Sequence, residues 1–325
     1  MKTPILRRTL LGTCTLLGLG GLGRPALAFP DQPIRIVVPW NAGGATDVVS
    51  RALAAAMAPI LGQPVIVDNR PGANGAIGAQ FVAGARPDGH TLFVASAETH
   101  SVNPLVYTRL TYDPVADFAP ITVFADGPFA LVVRAGLGAE TLDAFVALAR
   151  SRPGQLTYAS WGIGSTSHLA AARVIQQAGL DLLHVPFTGA APAYTALVGG
   201  QVDAMFMNAG PAEGLARDGR VRILGVGSSQ RVPLLPAVPT LRELGMPVDA
   251  ANWFALLGPA RIPAEVVSRI AAASAEALRS PAAQEVFRTQ GILPMATPPA
   301  ETRAFMAADR ERWAAVVRNL NLRLD

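Results

Sequence analysis

Ile34 to Pro39 is a compact β-branched run that breaks at Trp40-Asn41-Ala42-Gly43-Gly44 and gives way to an Ala-rich stretch from Ala45 to Ile60. A short apolar run, a glycine turn and a long helical pattern predict a strand feeding a helix. Val65-Ile66-Val67 predicts a second strand. Ile77, Phe81 and Val82 mark one face of a helix that stops at Arg86-Pro87-Asp88-Gly89, and Thr91 to Ala95 reads as a third strand. Such a βαβαβ order calls for a parallel sheet, because the crossover helices must cover its faces.

After the Pro- and Asp-containing stretch Tyr112 to Pro120 the pattern restarts. Phe129 to Val133, Leu156 to Ala159, His184 to Phe187, Val202 to Phe206 and Arg222 to Val226 read as strands, with helices over Leu142 to Arg150, from near Ser165, and over Ala191 to Val198. Trp253 to Leu257 is a strand-like return, after which the chain is nearly all helix: Pro263 suits a helix start, Gly291 a helix end, and Phe305, Trp313, Val317 and Leu320 recur near helical spacing. These last helices have too little sheet of their own, so they are expected to pack on the first α/β unit. The expected division is therefore a discontinuous first lobe, 29–125 with 252–325, and a second lobe, 126–251, joined by two crossovers.

Composition narrows the class. Half of the 325 residues are hydrophobic and 15% are charged, which fits a globular chain long enough for two cores. Four of the 27 Lys and Arg residues, Lys2, Arg7, Arg8 and Arg24, lie in the first 28 residues, which leaves 23 to balance 23 Asp and Glu. A neutral body removes the electrostatic case for nucleic acid. Residues 1–28 read as an export signal: a positive start, an apolar run from Thr9 to Leu22, and Ala26-Leu27-Ala28 before Phe29. Arg7-Arg8 followed by Thr9-Leu10-Leu11 fits a twin-arginine route, and general secretion tolerates the pair equally. Cys14, the only cysteine, is expected to leave with that peptide, so neither a disulfide nor a Cys-based metal site is expected in the mature chain. The expected location is the periplasm.

Candidate chemistry lies in the strand-to-helix turns. Helix N-termini carry free N–H groups and the positive end of the dipole, and in open α/β sheets they lie where ligands bind. Trp40 to Thr46, Ser96 to Ser101, Ser160 to Ser167 and Thr188 to Ala191 are the four candidates, and none contains Lys or Arg. Opposing amide nests of this kind suit a small molecule with carboxylates at its ends. Gly44 is the position where a branched side chain is expected to obstruct backbone approach and upset the turn. Neither Gly162-Ile163-Gly164-Ser165 nor Gly225-Val226-Gly227-Ser228 fits the nucleophile elbow, no lysine follows Lys2, and His90, His100, His168 and His184 lack zinc-site spacing. The expectation is binding without catalysis, cofactor or metal; the alternative is an exported α/β enzyme acting on a small carboxylate.

Longer motifs carry a resemblance. Ile34 to Pro39 with Gly43-Gly44 and Thr46-Asp47, Asn69-Arg70-Pro71-Gly72-Ala73 with Gly75 and Ile77-Gly78, Pro87-Asp88-Gly89, Asn103-Pro104 and Asp117 to Pro120 come first. They are followed by Ser165 with Ser167-His168-Leu169, His184 to Phe187 with Gly189, Gly199 to Asp203, and Trp253-Phe254. Together they resemble the Bug-type receptors, the extracytoplasmic solute-binding proteins of tripartite tricarboxylate transporters. The resemblance implies a two-lobed, type II periplasmic-binding-protein (Venus flytrap) fold. It implies a monomer that captures a small organic acid, usually a carboxylate, and hands it to the membrane components of such a transporter. By position it implies ligand contacts from Gly43, Gly44, Ala45, Thr46, Ser96, Ser165, Thr166, His168, Thr188, Gly189, Ala190 and Asn208. Trp40 and Trp161 depart from the family pattern near opposite cleft loops, where they either stack on an aromatic acid or pack. Met207 stands where the family commonly has Asp, which weakens the case for an amino-acid ligand.

Overall fold

The computed structural model describes residues 29–320 and 322–324. The expected export signal and its cleavage after Ala28, with Cys14, lie outside the described residues.

The chain begins β1 (Ile34–Val38), α1 (Ala45–Leu61), β2 (Val65–Asn69), α2 (Ala76–Ala83) and β3 (Thr91–Ser96). A single wide turn over Glu98–Val102 and the short α3 (Asn103–Val106) lead to β4 (Phe118–Arg134). There follow α4 (Leu142–Ser151), β5 (Thr157–Ser160), α5 (Thr166–Ala178), β6 (Leu183–Pro186), α6 (Ala190–Val198), β7 (Ala204–Asn208), α7 (Ala209–Arg217) and β8 (Val221–Val226). The chain closes with β9 (Ala251–Pro259), α8 (Ala264–Ala277), α9 (Pro281–Gln290), β10 (Leu293–Pro294) and α10 (Pro299–Leu320). The fold is α/β, with the strand order β2-β1-β3-β9-β4-β7-β5-β6. No helix among the described residues is long and apolar enough to cross a membrane.

Parallel pairing holds where the crossover helices predict it, in β2-β1-β3 and in β6-β5-β7. Between these runs lies an antiparallel centre. β9 pairs antiparallel with both β3 and β4, and the far end of β4 pairs antiparallel with β7 and β8. β4 therefore serves two sheets, giving Phe118 to Pro128 to one and Phe129 to Arg134 to the other. Its first part escaped the sequence pattern because Pro120, Asp126-Gly127 and Pro128 read as turn residues. The structure accommodates Pro120 beside a register shift and Pro128 at the changeover between sheets, positions where a missing N–H costs no ladder bond.

Each sheet is covered on both faces. Ile36, Leu53 and Phe254 pack with Ile270 and Phe287 on one side of the first sheet, and Phe93, Trp253 and Trp313 pack on the other. The closing helices α8, α9 and α10 thus pack on the first sheet. The second sheet is filled by Phe129, Phe145 and Phe206 on one face and by Met205, Met207 and Leu197 on the other. Where the chain passes between sheets, Phe129 N–H donates to Ala250 O (2.9 Å), Gly227 N–H to Phe129 O (2.8 Å) and Ala250 N–H to Gly227 O (2.7 Å). A Cβ on Gly227 would come within 2.4 Å of Ala250 Cβ and 2.6 Å of Ala250 O, so the chain just after β8 is held close against the segment entering β9.

Candidate functional site

The carboxyl ends of β1, β3, β5, β6 and β7 converge on a cavity of about 460 Å³. Trp40, Gly43, Gly44, Ala45, Thr46, Trp161, Thr188, Gly189, Ala190 and Asn208 line it. Ser96, Ser165, Thr166 and His168, expected as ligand contacts, are buried and do not line it. Glu98, Phe129, Tyr194, Asn252, Phe254 and Gln290 also line the cavity, and sequence reasoning missed them as site residues. No lining side chain is a Lys or Arg. Among the described residues no group of three or more His, Cys, Asp or Glu side chains is placed to hold a metal ion.

The Trp40–Thr46 loop is built by its neighbours. Asp47, in the first turn of α1, accepts the Gly43 N–H (2.9 Å) and Arg51 Nε (3.0 Å) on one oxygen. Its other oxygen accepts Asn69 Nδ2 (2.8 Å), which also donates to Trp40 O (3.0 Å). Burial pushes the Asp47 carboxyl up, but hydrogen bonds from Arg51, Gly43 and Asn69 and the Arg51 charge bring it below its ordinary value. Because Gly43 N–H is spent on Asp47, the donors left to the cavity are those of the helix start itself, at Ala45 and Thr46. The N-cap, Gly44, offers no side chain to compete for them. Gly189 likewise caps α6 without a side-chain bond, leaving a second open helix start on the cavity wall.

Gly43 is the residue whose backbone needs glycine, at φ +85°, whereas Gly44 is ordinary extended chain at φ −74°. A Cβ on Gly44 would meet only Asn41 O at 3.7 Å. This corrects the expectation that a side chain at Gly44 upsets the turn. We expect Gly43→Ala to lower stability by about 1 kcal/mol and Gly44→Ala to leave it unchanged within about 0.5 kcal/mol, measured by urea denaturation.

The α5 start is organised differently. Ser165 Oγ donates to Gly162 O (2.7 Å) and accepts the His168 N–H (3.2 Å), so it caps its own helix. His168 Nδ1 accepts the Gly164 N–H (3.2 Å), and its ring stacks on His184 with centroids 4.1 Å apart. His184 in turn stacks on Tyr158 and reaches Ser160 Oγ at 2.7 Å. Burial holds both imidazoles down at about 4, His168 with help from the neighbouring His184, so the stack is neutral at pH 7. The stack acts as a rigid backing for the Ser160–Ser167 turn.

Glu98 lies where the two sheets face each other. One carboxylate oxygen accepts Ser96 Oγ (2.8 Å) and Asn252 Nδ2 (2.8 Å); the other accepts the Thr166 N–H (3.3 Å) and the Thr166 hydroxyl. Asn252 is oriented by accepting the Ala97 N–H on its oxygen (3.1 Å). A charged residue in the turn just after the apolar run Leu92 to Ala95 was the available sequence signal for Glu98. Five aromatic rings, Trp40, Phe129, Trp161, Tyr194 and Phe254, supply most of the remaining wall, with Trp161 edge-on to Phe129 at 5.3 Å.

A cavity between two α/β sheets linked by crossing strands, walled by helix N-termini, is the design of a solute-binding receptor. The chain belongs to the tripartite tricarboxylate transporter family receptors, whose family model matches residues 49–322. It is 35% identical to Protein BugT of Bordetella pertussis, over 95% of this chain and 96% of that one. Among solved structures, an R. palustris protein with adipate superposes with a TM-score of 0.84 at 32% identity, covering 89% of this chain and 97% of that one. MatC from Rhodopseudomonas palustris with bound malate gives 0.80 at 34% identity, over 89% and 100%. The periplasmic binding protein BugD superposes with a TM-score of 0.82 at 31% identity, over 91% of this chain and 99% of that one, and the fold is that of the periplasmic binding proteins.

Proposed function

We propose that the chain captures a small organic anion in the 460 Å³ cavity and delivers it to the membrane components of a tripartite tricarboxylate transporter. The observation that carries this reading is a set of three helix starts without a side-chain cap, α1, α6 and α7, on the wall of one cavity that no Lys or Arg lines. Backbone amides with the positive end of a helix dipole hold a carboxylate without a counter-ion. In this reading Ala45, Thr46 and Ala190 contribute amides, Thr188 and Asn208 contribute side-chain polar atoms, and Trp40 and Trp161 contact the body of the ligand. Ser96, Ser165, Thr166 and His168 support the wall from behind. The protein acts as a monomer in the periplasm after losing residues 1–28, without chemistry of its own. The lobes divide where β4 changes sheets at Pro128–Phe129, three residues past the boundary expected at 125, and at Ala251, and these two crossings act as the hinge.

Relatives solved with adipate and malate support a carboxylate ligand. Calorimetry of the exported protein against a panel of mono- and dicarboxylates tests the reading. The expected result is stoichiometric binding, recovery of the acid unchanged, and a smaller radius of gyration in X-ray scattering. Turnover of the bound acid, or saturation with no compaction, would count against it.

A further inference from the structure

The helix starts around the cavity are not equivalent. Those of α1, α6 and α7 carry no side-chain cap, whereas at α5 Ser165 Oγ takes the His168 N–H and Glu98 takes the Thr166 N–H and hydroxyl. A carboxylate of this chain therefore occupies the place at the α5 start that a carboxylate of a ligand would otherwise take. Glu98 is 1% exposed, yet it belongs to the cavity wall. Its partners come from three separate parts of the chain, Ser96, Thr166 and Asn252.

Four donors on two oxygens fill the acceptor capacity of a carboxylate. Glu98 thus has no lone pair left for an ammonium group of a ligand, so it is not placed as the partner of a cationic or zwitterionic solute. What it projects into the cavity is negative charge beside apolar rings, where a second carboxylate would be repelled and would find the Thr166 donors already taken. Exclusion of this kind confers specificity by penalising the wrong ligand rather than by adding a contact to the right one.

We infer that Glu98 is a specificity-determining residue that restricts the cavity to acids with a single carboxylate and an apolar body. The carboxylate lies at the open starts of α1 and α6, and the body lies against Trp40, Phe129, Trp161 and Phe254. This inference rests on the receptor reading above.

The test uses two matched pairs that differ by one terminal carboxylate: benzoate with terephthalate, and hexanoate with adipate. Calorimetry on the wild-type protein should give at least tenfold tighter binding of the monocarboxylate in whichever pair binds. Glu98→Ser frees the Thr166 donors and removes the charge, and should move the ratio at least tenfold toward the dicarboxylate. Glu98→Gln removes the charge at nearly constant size and should move the ratio in the same direction; it serves where the serine variant does not fold. A purely structural role would weaken both members of a pair equally and leave the ratio unmoved. Wild-type preference for the dicarboxylate, or an unmoved ratio in a folded variant, overturns the inference and leaves the receptor reading standing. Failure of all four acids to bind the wild-type protein counts against the receptor reading and removes the inference with it.

Discussion

Replacing Asp47 by Ala should lower stability by about 3 kcal/mol and weaken ligand binding at least tenfold, although Asp47 itself lies behind the cavity wall. The carboxylate is 3% exposed and ties together the Gly43 N–H, the Asn69 amide and the Arg51 guanidinium. Truncation leaves the Gly43 N–H without an acceptor and frees the loop that carries Trp40 and the α1 start. Charge-assisted hydrogen bonds contribute about 1.5–3 kcal/mol each, and those lost come from the Gly43 N–H, the partly buried Asn69 amide and the Arg51 guanidinium. Arg51→Ala makes the control. Its side chain is 50% exposed, so the loss should stay within about 1 kcal/mol. Denaturation curves and calorimetry on both variants check this; wild-type binding by Asp47→Ala would mean that the loop holds its shape unaided.

Stability should fall by about 4 kcal/mol between pH 7 and pH 4.5, driven by histidines rather than carboxylates. Burial holds His100 down at about 3, with the Arg310 charge adding to it, and holds His168 and His184 down at about 4. The unfolded chain therefore binds more protons than the folded one from about pH 6.5 downward, and stability declines across that window. His100 and His168, fully and nearly fully buried, contribute about 2–3 kcal/mol each by pH 4.5, and the less buried His184 contributes less. Asp126 works the other way. Burial raises its carboxyl to about 6, Arg312 lowering it and Asp309 raising it further, so the folded state takes up that proton and recovers about 2 kcal/mol. Urea denaturation across this range measures the net slope, and His168→Gln should flatten it by close to one proton. An equal slope in the variant would remove the imidazole stack as a source of acid sensitivity.

The two α/β halves, the helix-start turns and much of the cavity wall were legible because they depend on local pattern. Gly43-Gly44 before an Ala-rich helix and Gly189 before another are signals within a few residues of the elements they start. The residues that decide the chemistry of the cavity were less visible. Glu98 meets Asn252 across 154 residues and Thr166 across 68, and no local periodicity reports such contacts. Ser165 shows the converse. Its hydroxyl type and position fit a ligand contact, but a serine ahead of a helix is also an N-cap, and here its oxygen is bonded on both sides to its own turn. The first half of β4 was hidden for a third reason: Pro120 and Pro128 argue against a strand until the places where they fall on the ladder are known.

The position of β9 governs the order in which the molecule can assemble. It lies between β3 and β4, with Phe93 opposite Leu257 on one side and Val123 opposite Ala255 on the other, although it follows both strands by more than a hundred residues. A growing chain that has completed β4 still lacks the strand that joins it to β3, along with Phe254, Leu256 and the closing helices that seal that core. Pairings so distant in sequence are slow to form and give no return until both partners exist. A nascent polypeptide therefore cannot close its first core until its last third has been made, because the strand that joins β3 to β4 is supplied only there.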